Sequence, residues 1–363
     1  MSWPTGREHA SRKDEHLELA LRLHRTDRPN AFDDVSFVHH ALPAASTREV
    51  DVSTSVCGSP WPVPFYVNAM TGGTPATARV NADLARGAAA AGVAIACGSQ
   101  HVALRDPGCA DGFEVIRREA PHAFVLANVG PTVSPEQAVR AVEMIGADAL
   151  QVHLNAAQEL VMPEGDRDLR HWSRGVADIA AAVDVPVVVK EVGFGLSRRT
   201  VETLTGCGVD AVDVAGAGGT DFIAIENARR PDQDYSYLSG WGQPTALCLL
   251  EVLGGEDPRL PVLASGGVRN PLDVVRCLAL GAHAVGVSGH FLRTLSGRGA
   301  HGLEQELRTW TEHVRTLMTL LGAPDVRALR RTDVLVTGRT AEQARLLGAD
   351  LDRLARRSRY VAG

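Results

Sequence analysis

The chain has little of several features that mark whole classes of protein. It contains only six cysteines and no C-x-x-C pair, which argues against a disulfide framework and against a structural zinc site. Its formal net charge is -6, so the basic excess of a general nucleic-acid or membrane-surface binder is missing. The longest apolar run, around "AAAAGVAIAC", is far shorter than the roughly 20 residues of a membrane span, and "MSWPTGREHASRKDEH" lacks the apolar core of a signal peptide. We therefore expect a globular, cytoplasmic protein that binds neither nucleic acid nor membrane.

What the chain does have is a repeated alternation of short β-type runs and helical patterns. Eight runs rich in Val, Ile and Ala occur at residues 64–70, 92–99, 122–130, 147–155, 186–193, 209–216, 260–267 and 282–289. Helical patterns such as "SPEQAVRAVEMIG" and "NPLDVVRCLALG" lie between them, the latter starting with an Asn-Pro cap. This alternation predicts an α/β fold with a single (β/α)₈ TIM barrel. A doubly wound sheet is the alternative, but "GAGGT" (216–220) lacks the G-x-G-x-x-G spacing of its dinucleotide site.

This pattern divides the chain into three predicted regions. Residues 1–60 are predicted to form an N-terminal basic arm and a cap on the barrel, residues 61–322 the barrel itself, and residues 323–363 a C-terminal helical tail packed on the barrel. Residues 217–259, after the sixth strand, are predicted to be one long loop that carries Tyr235, Tyr237 and Trp241. Loops of that length in compact domains are usually lids or binding loops.

Lys190 lies among valines in the fifth predicted strand, in "VVVKEVG". A buried lysine needs compensation. One interpretation is a structural ion pair with Glu191 or Asp213 in the barrel interior. The other, which we favour, is a cation beside an electron-rich ring, because the carboxyl ends of barrel strands face one common pocket.

Glycines follow the seventh and eighth predicted strands, where barrels commonly bind a phosphate. Gly266, Gly267 and Gly289 would let backbone N–H groups approach phosphate oxygens, and Arg269 would add positive charge. Taken alone, "SGGVR" is equally compatible with an ordinary turn. At this place in a barrel it predicts a binding site for the phosphate of a cofactor.

The stretch "HLNAAQE" after the fourth predicted strand offers groups that suit an anionic substrate with a metal. Glu159 has the hard oxygen ligands that Mg²⁺ prefers, and His153 and Asn155 can donate to an anion. The alternatives are that Glu159 caps a helix entered near Asp166 and that His153 is a packed core imidazole.

The N-terminal "RKDEHLELAL" places Arg12 and His16 on one helical face, with Lys13 beside them. Such a stretch is usually a solvated surface helix. It is also suited to be a basic arm that closes over a diphosphate.

Taken together and in order, these motifs resemble the type 2, FMN-dependent isopentenyl diphosphate isomerases. The resemblance spans nearly the whole chain and rests on "RKDEH", "FDDVSFVHHALP", "NAMTGG", "GSQ", "HLNAAQE", "VVKEVGFGLS", "DVAGAGGTDF", "WGQPT" and "ASGGVRNPLDVVRCLALGA". It implies a barrel with FMN at its carboxyl-end face, Mg²⁺, and reversible conversion of isopentenyl to dimethylallyl diphosphate with reduced FMN as acid and base. NADPH would serve only to reduce the flavin, and we expect a homo-oligomer, tetramer or larger.

The resemblance also implies roles for individual residues. The flavin contacts expected are Met70, Thr71, Gly72, Ser99, Asn128, Lys190, Thr220, Gly266, Gly267, Arg269 and Gly289. The substrate contacts expected are Arg12, Lys13, His101, His153, Asn155 and Gln158, with Glu159 on the metal and with Gln158, Lys190 and His153 as catalytic residues. His101 departs from the family, many members of which have Arg there, and a neutral or half-charged imidazole is a weaker partner for diphosphate than a guanidinium.

Two other functions stay open at this point. FMN-dependent 2-hydroxy-acid oxidases have a similar segment at strand 7, but "AGAGGTDF" lacks the His and Arg that they carry near the end of strand 6. A non-catalytic FMN-binding homologue is the second alternative; His153, Glu159 and the basic arm argue against it, and His101 slightly favours it.

Overall fold

Eight parallel strands close into a barrel in the computed structural model of the protein, which describes residues 15, 18–19, 21–23, 30–254 and 259–360. The strands of this part of the chain are β1 (Val35–Phe37), β2 (Thr54–Val56), β3 (Ser59–Trp61), β4 (Phe65–Val67), β5 (Ala94–Ala96), β6 (Val125–Val129), β7 (Ala149–Leu154), β8 (Val187–Glu191), β9 (Ala211–Asp213), β10 (Val262–Ser265), β11 (Val285–Val287) and β12 (Val334–Val336). The barrel runs in chain order from β4 to β11, and β11 pairs with β4. The predicted TIM barrel is confirmed, and each barrel strand lies inside one of the eight predicted runs.

Helices surround the barrel and follow its strands. They are α1 (Pro75–Ala91), α2 (His101–Arg105), α3 (Asp111–Glu119), α4 (Pro135–Ile145), α5 (Ala156–Val161), α6 (Trp172–Ala180), α7 (Arg198–Thr205), α8 (Phe222–Ala228), α9 (Thr245–Leu253), α10 (Pro271–Ala279), α11 (Gly289–Leu320), α12 (Val326–Leu329), α13 (Gly338–Leu346) and α14 (Leu351–Leu354). Short 3₁₀ helices occur at Ala31–Asp34, Pro107–Cys109, Ser236–Leu238 and Arg357–Tyr360. Helix α11 is interrupted at Gly299, whose backbone angles are not helical.

Local sequence signals explain where the barrel helices begin. The side chain of Ser134 accepts the backbone N–H of Gln137, and Pro135 occupies the first turn of α4. In the same way, the side chain of Asn270 accepts the backbone N–H of Asp273 at the start of α10. Both helices therefore lie where the Ser-Pro and Asn-Pro pairs predict them.

The segment after β9 differs from the single long loop predicted for residues 217–259. Helix α8 begins after Asp221, whose side chain accepts the N–H of Ala224, and α9 takes up Thr245–Leu253. Helix α9 was missed because its first eight residues are all buried, so it has no alternating polar face to give a helical period. The irregular parts of this segment, where the structure describes it, are residues 217–221 before α8 and residues 229–244 between α8 and α9, the latter with one 3₁₀ turn.

Segments outside the barrel close its amino end and pair residues 35–37 with residues 334–336. The β2–β3 hairpin places the Trp61 ring 5.4 Å from the Tyr66 ring and 5.2 Å from the Phe124 ring. Strand β1 pairs antiparallel with β12, a strand that the predicted helical tail did not include. Across the described residues, no helix is both long enough and apolar enough to cross a membrane.

Candidate active site

A cavity of about 660 Å³ lies at the carboxyl ends of the barrel strands. The loops after all eight barrel strands contribute to its wall, among them residues Met70, Ser99, Asn128, His153, Lys190, Gly218, Gly267 and Gly289. This volume is within the range of small-molecule sites, which are commonly found at this face of a TIM barrel. The geometry therefore brings together the polar strand ends that the sequence singled out.

Most of the predicted site residues line this cavity. They are Met70, Thr71, Ser99, His101, Asn128, His153, Asn155, Gln158, Glu159, Lys190, Thr220, Gly266, Gly267, Arg269 and Gly289. Gly72 does not line it: a Cβ added there would lie 2.2 Å from Cε1 of Phe113, so this glycine makes room for a core ring. Arg12 and Lys13 lie outside the described residues.

The glycines after β10 form a tight cradle. Gly266 and Gly267 have φ angles of +95° and +73°, which favour glycine. A Cβ on Gly266 would lie 2.0 Å from the carbonyl oxygen of Gly216, and a Cβ on Gly267 would lie 2.7 Å from Nδ2 of Asn30. Asn30 also donates from Nδ2 to the carbonyl oxygen of Gly267 at 2.8 Å. The loops after β9 and β10 thus pack backbone against backbone, under a side chain from the N-terminal segment.

Arg269 reaches the cavity, but two carboxylates hold its guanidinium. Its terminal nitrogens donate to both oxygens of Asp33 at 2.7 and 3.1 Å, and its Nε donates to Asp273 at 2.9 Å. The hydrogen bonds from Asp273 and Asp33 raise the pKa of Arg269 above its usual range. Arg269 therefore ties the Ala31–Asp34 turn to the glycine cradle.

Lys190 is buried in the cavity wall, with 6 % of its surface exposed. Its Nζ donates to the backbone carbonyl of Glu191 at 2.7 Å. Within the described part of the chain, no carboxylate lies within 4.0 Å of Nζ, so the alternative interpretation, a structural ion pair with Glu191 or Asp213, does not hold. Burial lowers the pKa of Lys190, and the negative charges of Asp213 and Glu191 oppose this effect.

The side chain of Glu191 holds the turn that positions this carbonyl. Its Oε2 accepts the backbone N–H groups of Val192, Gly193 and Phe194 at 2.7, 2.7 and 2.5 Å. Burial nevertheless raises the pKa of Glu191 to about 7, and the three backbone hydrogen bonds act in the opposite direction. The turn after β8 is thus built around a buried carboxyl group.

Gln158 is fixed at both ends of its carboxamide. Its Oε1 accepts from Nδ2 of Asn155 at 3.2 Å, and its Nε2 donates to Oε1 of Glu226 at 2.7 Å. Glu226 is fully buried on α8 and pairs with Arg229 at 2.6 Å. Glu226 was not predicted as a site residue because it lies in the segment predicted to be a loop; the only signal for it was its three-residue spacing to Arg229.

Glu159 has both carboxylate oxygens engaged. Oε1 accepts from Nδ2 of Asn155 at 3.0 Å, and Oε2 accepts the backbone N–H of Asp166 at 2.7 Å. This second bond does not cap a helix, which was the alternative role for Glu159, because α6 begins only at Trp172. No group of three His, Cys, Asp or Glu side chains suited to a metal occurs among the described residues. One carboxylate is still compatible with Mg²⁺, which keeps several waters and binds substrate phosphates.

Thr71 provides a test of whether a cofactor fits the cavity. It is 4 % exposed and lines the cavity, and its buried Oγ1 has no hydrogen-bond partner within the described chain. Buried hydroxyl groups are normally satisfied, so this one is available to hydrogen-bond a ligand in the cavity. A polar ring beside Thr71 and Lys190, with a phosphate at the glycine cradle, fits the residues present.

Arg105 is a further cavity residue that sequence analysis did not single out. It ends α2, four residues after His101, so both side chains lie on one face of that helix and line the cavity. The only signal in the sequence was the spacing of the two basic residues in "GSQHVALRDP". A guanidinium is therefore present one helical turn from the position where His101 departs from the expected pattern.

Comparison with known proteins identifies close relatives. The family model described as FMN-dependent dehydrogenase matches residues 22–154 and 117–336. The chain is 52% identical over 353 residues to an isopentenyl-diphosphate delta-isomerase of a Streptomyces species, covering 97% of this chain and 96% of the relative. Enzymes of the same name from Nocardia farcinica (49% identical, 97% of each chain) and Latilactobacillus sakei (46% identical, 90% of this chain and 93% of the relative) are also similar.

Solved structures of more distant proteins share the fold. A mandelate oxidase mutant with a monooxide FMN adduct has a TM-score of 0.64 at 20% identity, covering 89% of this chain and 92% of the other. A mutant flavocytochrome b2 with benzoylformate has a TM-score of 0.66 at 22% identity, covering 99% of this chain and 88% of the other. At this level of identity the likeness concerns the barrel fold alone.

Proposed function

The chain belongs to the type 2, FMN-dependent isopentenyl-diphosphate delta-isomerase family, and from this premise we propose that reduced FMN is its acid and base and Mg²⁺ its metal. The observation that carries the proposal is 52% identity over 97% of the chain to an enzyme of that name. The oxidase alternative has less support, since the oxidase structures are only 20 to 21% identical and "AGAGGTDF" lacks the oxidase His and Arg.

Moving a double bond in an unactivated alkene requires addition of one proton and loss of another in a dry pocket. Reduced FMN, when bound, would supply this acid–base chemistry. Lys190 would place a buried positive charge beside the electron-rich ring, and the Glu191 turn would hold its ammonium in place. Gln158 is the side chain best placed to assist a proton transfer, because Asn155 and Glu226 fix its carboxamide.

The diphosphate would bind at the other side of the cavity. His153 would donate to its oxygens, and Asn155 would do so by redirecting one of the two hydrogens that it donates to Gln158 and Glu159. His101 and the cationic arm residues Arg12 and Lys13 would be further partners. Glu159 would hold Mg²⁺ together with phosphate oxygens and water. Since these contacts are the same before and during the reaction, they bind the substrate without lowering the barrier by themselves.

The remaining parts of the proposal concern the reductant and the assembly. Isomerisation has no net redox change, so NADPH is needed only to reduce the flavin before turnover. We further propose that the protein works in the cytoplasm as a homo-oligomer, tetramer or larger. Size-exclusion chromatography with light scattering tests the assembly directly.

One anaerobic experiment tests the proposed function. Chemically reduced, FMN-loaded protein with Mg²⁺ should convert isopentenyl diphosphate to dimethylallyl diphosphate without consuming electrons, and in heavy water the new methyl group should carry deuterium. Oxidised protein without a reductant should be nearly inactive. An oxidase would instead bleach oxidised flavin with a 2-hydroxy acid, and a binding protein would do neither. Strong turnover by the oxidised form, or stoichiometric flavin reoxidation, would refute the acid–base role.

A further inference from the structure

A line of buried polar side chains crosses the barrel interior beneath the cavity. It starts at Asp213, whose Oδ2 accepts from the Tyr66 hydroxyl at 2.9 Å and from Nδ2 of Asn68 at 3.3 Å. The Oδ1 of Asn68 accepts the backbone N–H of Ala69 at 2.8 Å. A backbone N–H only donates and a carboxylate only accepts, so the orientation of the Asn68 carboxamide is fixed from both ends.

The orientation of Asn68 fixes the orientation of the next two amides, those of Gln151 and Asn128. Nε2 of Gln151 donates to Oδ1 of Asn68 at 3.2 Å and to the Tyr66 hydroxyl at 3.4 Å. Oε1 of Gln151 therefore accepts, and Nδ2 of Asn128 donates to it at 3.1 Å. Gln151 and Asn128 are neighbours on paired strands and are at most 2 % exposed, so water does not compete for these bonds. Asn128 is left with its carbonyl oxygen, Oδ1, for the next contact.

That next contact is Nδ1 of His153, 2.8 Å from Oδ1 of Asn128. Since a carbonyl oxygen only accepts, Nδ1 must carry a hydrogen, and in the neutral ring Nε2 is then an acceptor. The oxygens of a diphosphate are acceptors as well. We propose that the line from Asp213 to Asn128 makes diphosphate binding at His153 depend on the uptake of one proton at Nε2. This inference rests on the proposed function, which assigns His153 to the diphosphate.

Some charges around the His153 imidazole favour its protonated form and others disfavour it. Lys190 lies beside it on β8 in paired register, and Arg105 lines the cavity from α2 together with the titratable His101; the cations Lys190 and Arg105 disfavour a charged imidazole. Glu159 on α5 favours the charged form, and β6 contributes only the neutral Asn128. The ligand itself adds the largest negative charge. We therefore expect protonation to accompany binding, and Asn128, Gln151 and Asn68 to act as positioning residues.

Calorimetry with inorganic diphosphate and Mg²⁺ on the FMN-loaded protein tests this proton uptake. Titrations in buffers of different ionisation enthalpy count the protons taken up on binding. Above the pKa of His153, affinity should fall by about tenfold per pH unit more than in His153→Gln, because one proton is linked to binding. The amide of His153→Gln donates without ionising, and proton exchange by diphosphate itself cancels between the two proteins. Equal proton counts in both would overturn the proposal.

Two variants separate the line of side chains from a general effect of His153. Gln151→Met removes the bond that orients Asn128. The Asn128 carboxamide can then reverse and donate to Nδ1, so that neutral His153 carries its hydrogen on Nε2. The proton uptake on binding should therefore fall toward that of His153→Gln. Tyr66→Phe keeps the Asn68 to Gln151 bond and should keep the uptake. Full uptake in Gln151→Met would contradict the role of the line.

A measurement on the unmodified holoenzyme does not depend on any of these variants folding well. Nitrogen NMR of ¹⁵N-histidine-labelled protein at high pH should show the His153 hydrogen on Nδ1, and a hydrogen on Nε2 would overturn the inference. The His153→Gln protein assigns the signal. If diphosphate binds to none of these proteins, the proposed function fails too; normal isomerase activity with equal proton counts would refute only this inference.

Discussion

Asn30→Ala is expected to weaken FMN binding by about 5- to 30-fold while the barrel stays folded. Asn30 donates to the carbonyl oxygen of Gly267 in the glycine cradle, and its Oδ1 caps the Ala31–Asp34 turn by accepting the N–H of Phe32. The first bond contributes about 1 kcal/mol and the cap about 1 kcal/mol more. If only the hydrogen bond to Gly267 affects the cradle, FMN affinity falls about fivefold. If the cap of the turn affects it as well, FMN affinity falls about 30-fold, since 1.4 kcal/mol corresponds to about tenfold in affinity.

Quenching of FMN fluorescence during titration with the apoprotein measures this affinity. Asp325→Ala is the matched control, because Asp325 also caps a helix, by accepting the N–H of Ala328 at 2.7 Å, but lies in the C-terminal segment away from the cavity. Circular dichroism and the thermal midpoint of both variants report the general loss of stability. Unchanged FMN affinity in Asn30→Ala, or an equal loss in Asp325→Ala, would refute the role of Asn30 in the cradle.

Three further predictions concern the substrate side of the cavity. Glu159→Gln should abolish Mg²⁺-dependent turnover and keep FMN, measured by its absorbance, because the carboxylate does not contact the cradle; loss of flavin would instead give Glu159 a structural role. Arg12→Ala and Lys13→Ala should raise KM more than they lower kcat, because these groups are expected to bind the diphosphate equally in the ground state and the transition state. An unchanged KM would instead favour the alternative that this stretch is a solvated surface helix. Arg105→Ala should raise KM by about 10- to 100-fold, the range for a charge-assisted hydrogen bond, and His101→Arg added to it should restore binding; steady-state kinetics showing neither effect would exclude Arg105 from the diphosphate site.

The barrel was predictable because its signals are local. Strand β8 begins with a run of three valines followed by Lys190 and Glu191, and α4 has a Ser-Pro start and ends at Gly146, which has a φ of +52°. Such signals depend on neighbours within a few residues, so they survive without knowledge of the fold. Helix α9 was missed for the complementary reason: burial on all sides removes the period that identifies a helix.

The contacts that complete the site were not predictable in the same way. Arg269 meets Asp33 across 236 residues of chain, and Asn30 meets Gly267 across 237. Lys190 was expected either to pair with a carboxylate or to face a ligand, and its observed partner is a backbone carbonyl. A main-chain acceptor is present at every residue, so no pattern of side chains distinguishes the one that is used.

The register between barrel strands determines which polar side chains of the site lie next to each other. The registers Asn128 with Gln151 and His153 with Lys190 place side chains of different strands on one level of the barrel. Alternation along a strand predicts which residues point inward, but a shift of register by one residue would separate these pairs. The orientation of each amide then follows from its neighbour, and it ends at groups that cannot reverse, the Ala69 N–H and the Asp213 carboxylate. The hydrogen position on His153 is therefore a property of the closed barrel, since it depends on bonds contributed by four different strands and their ends.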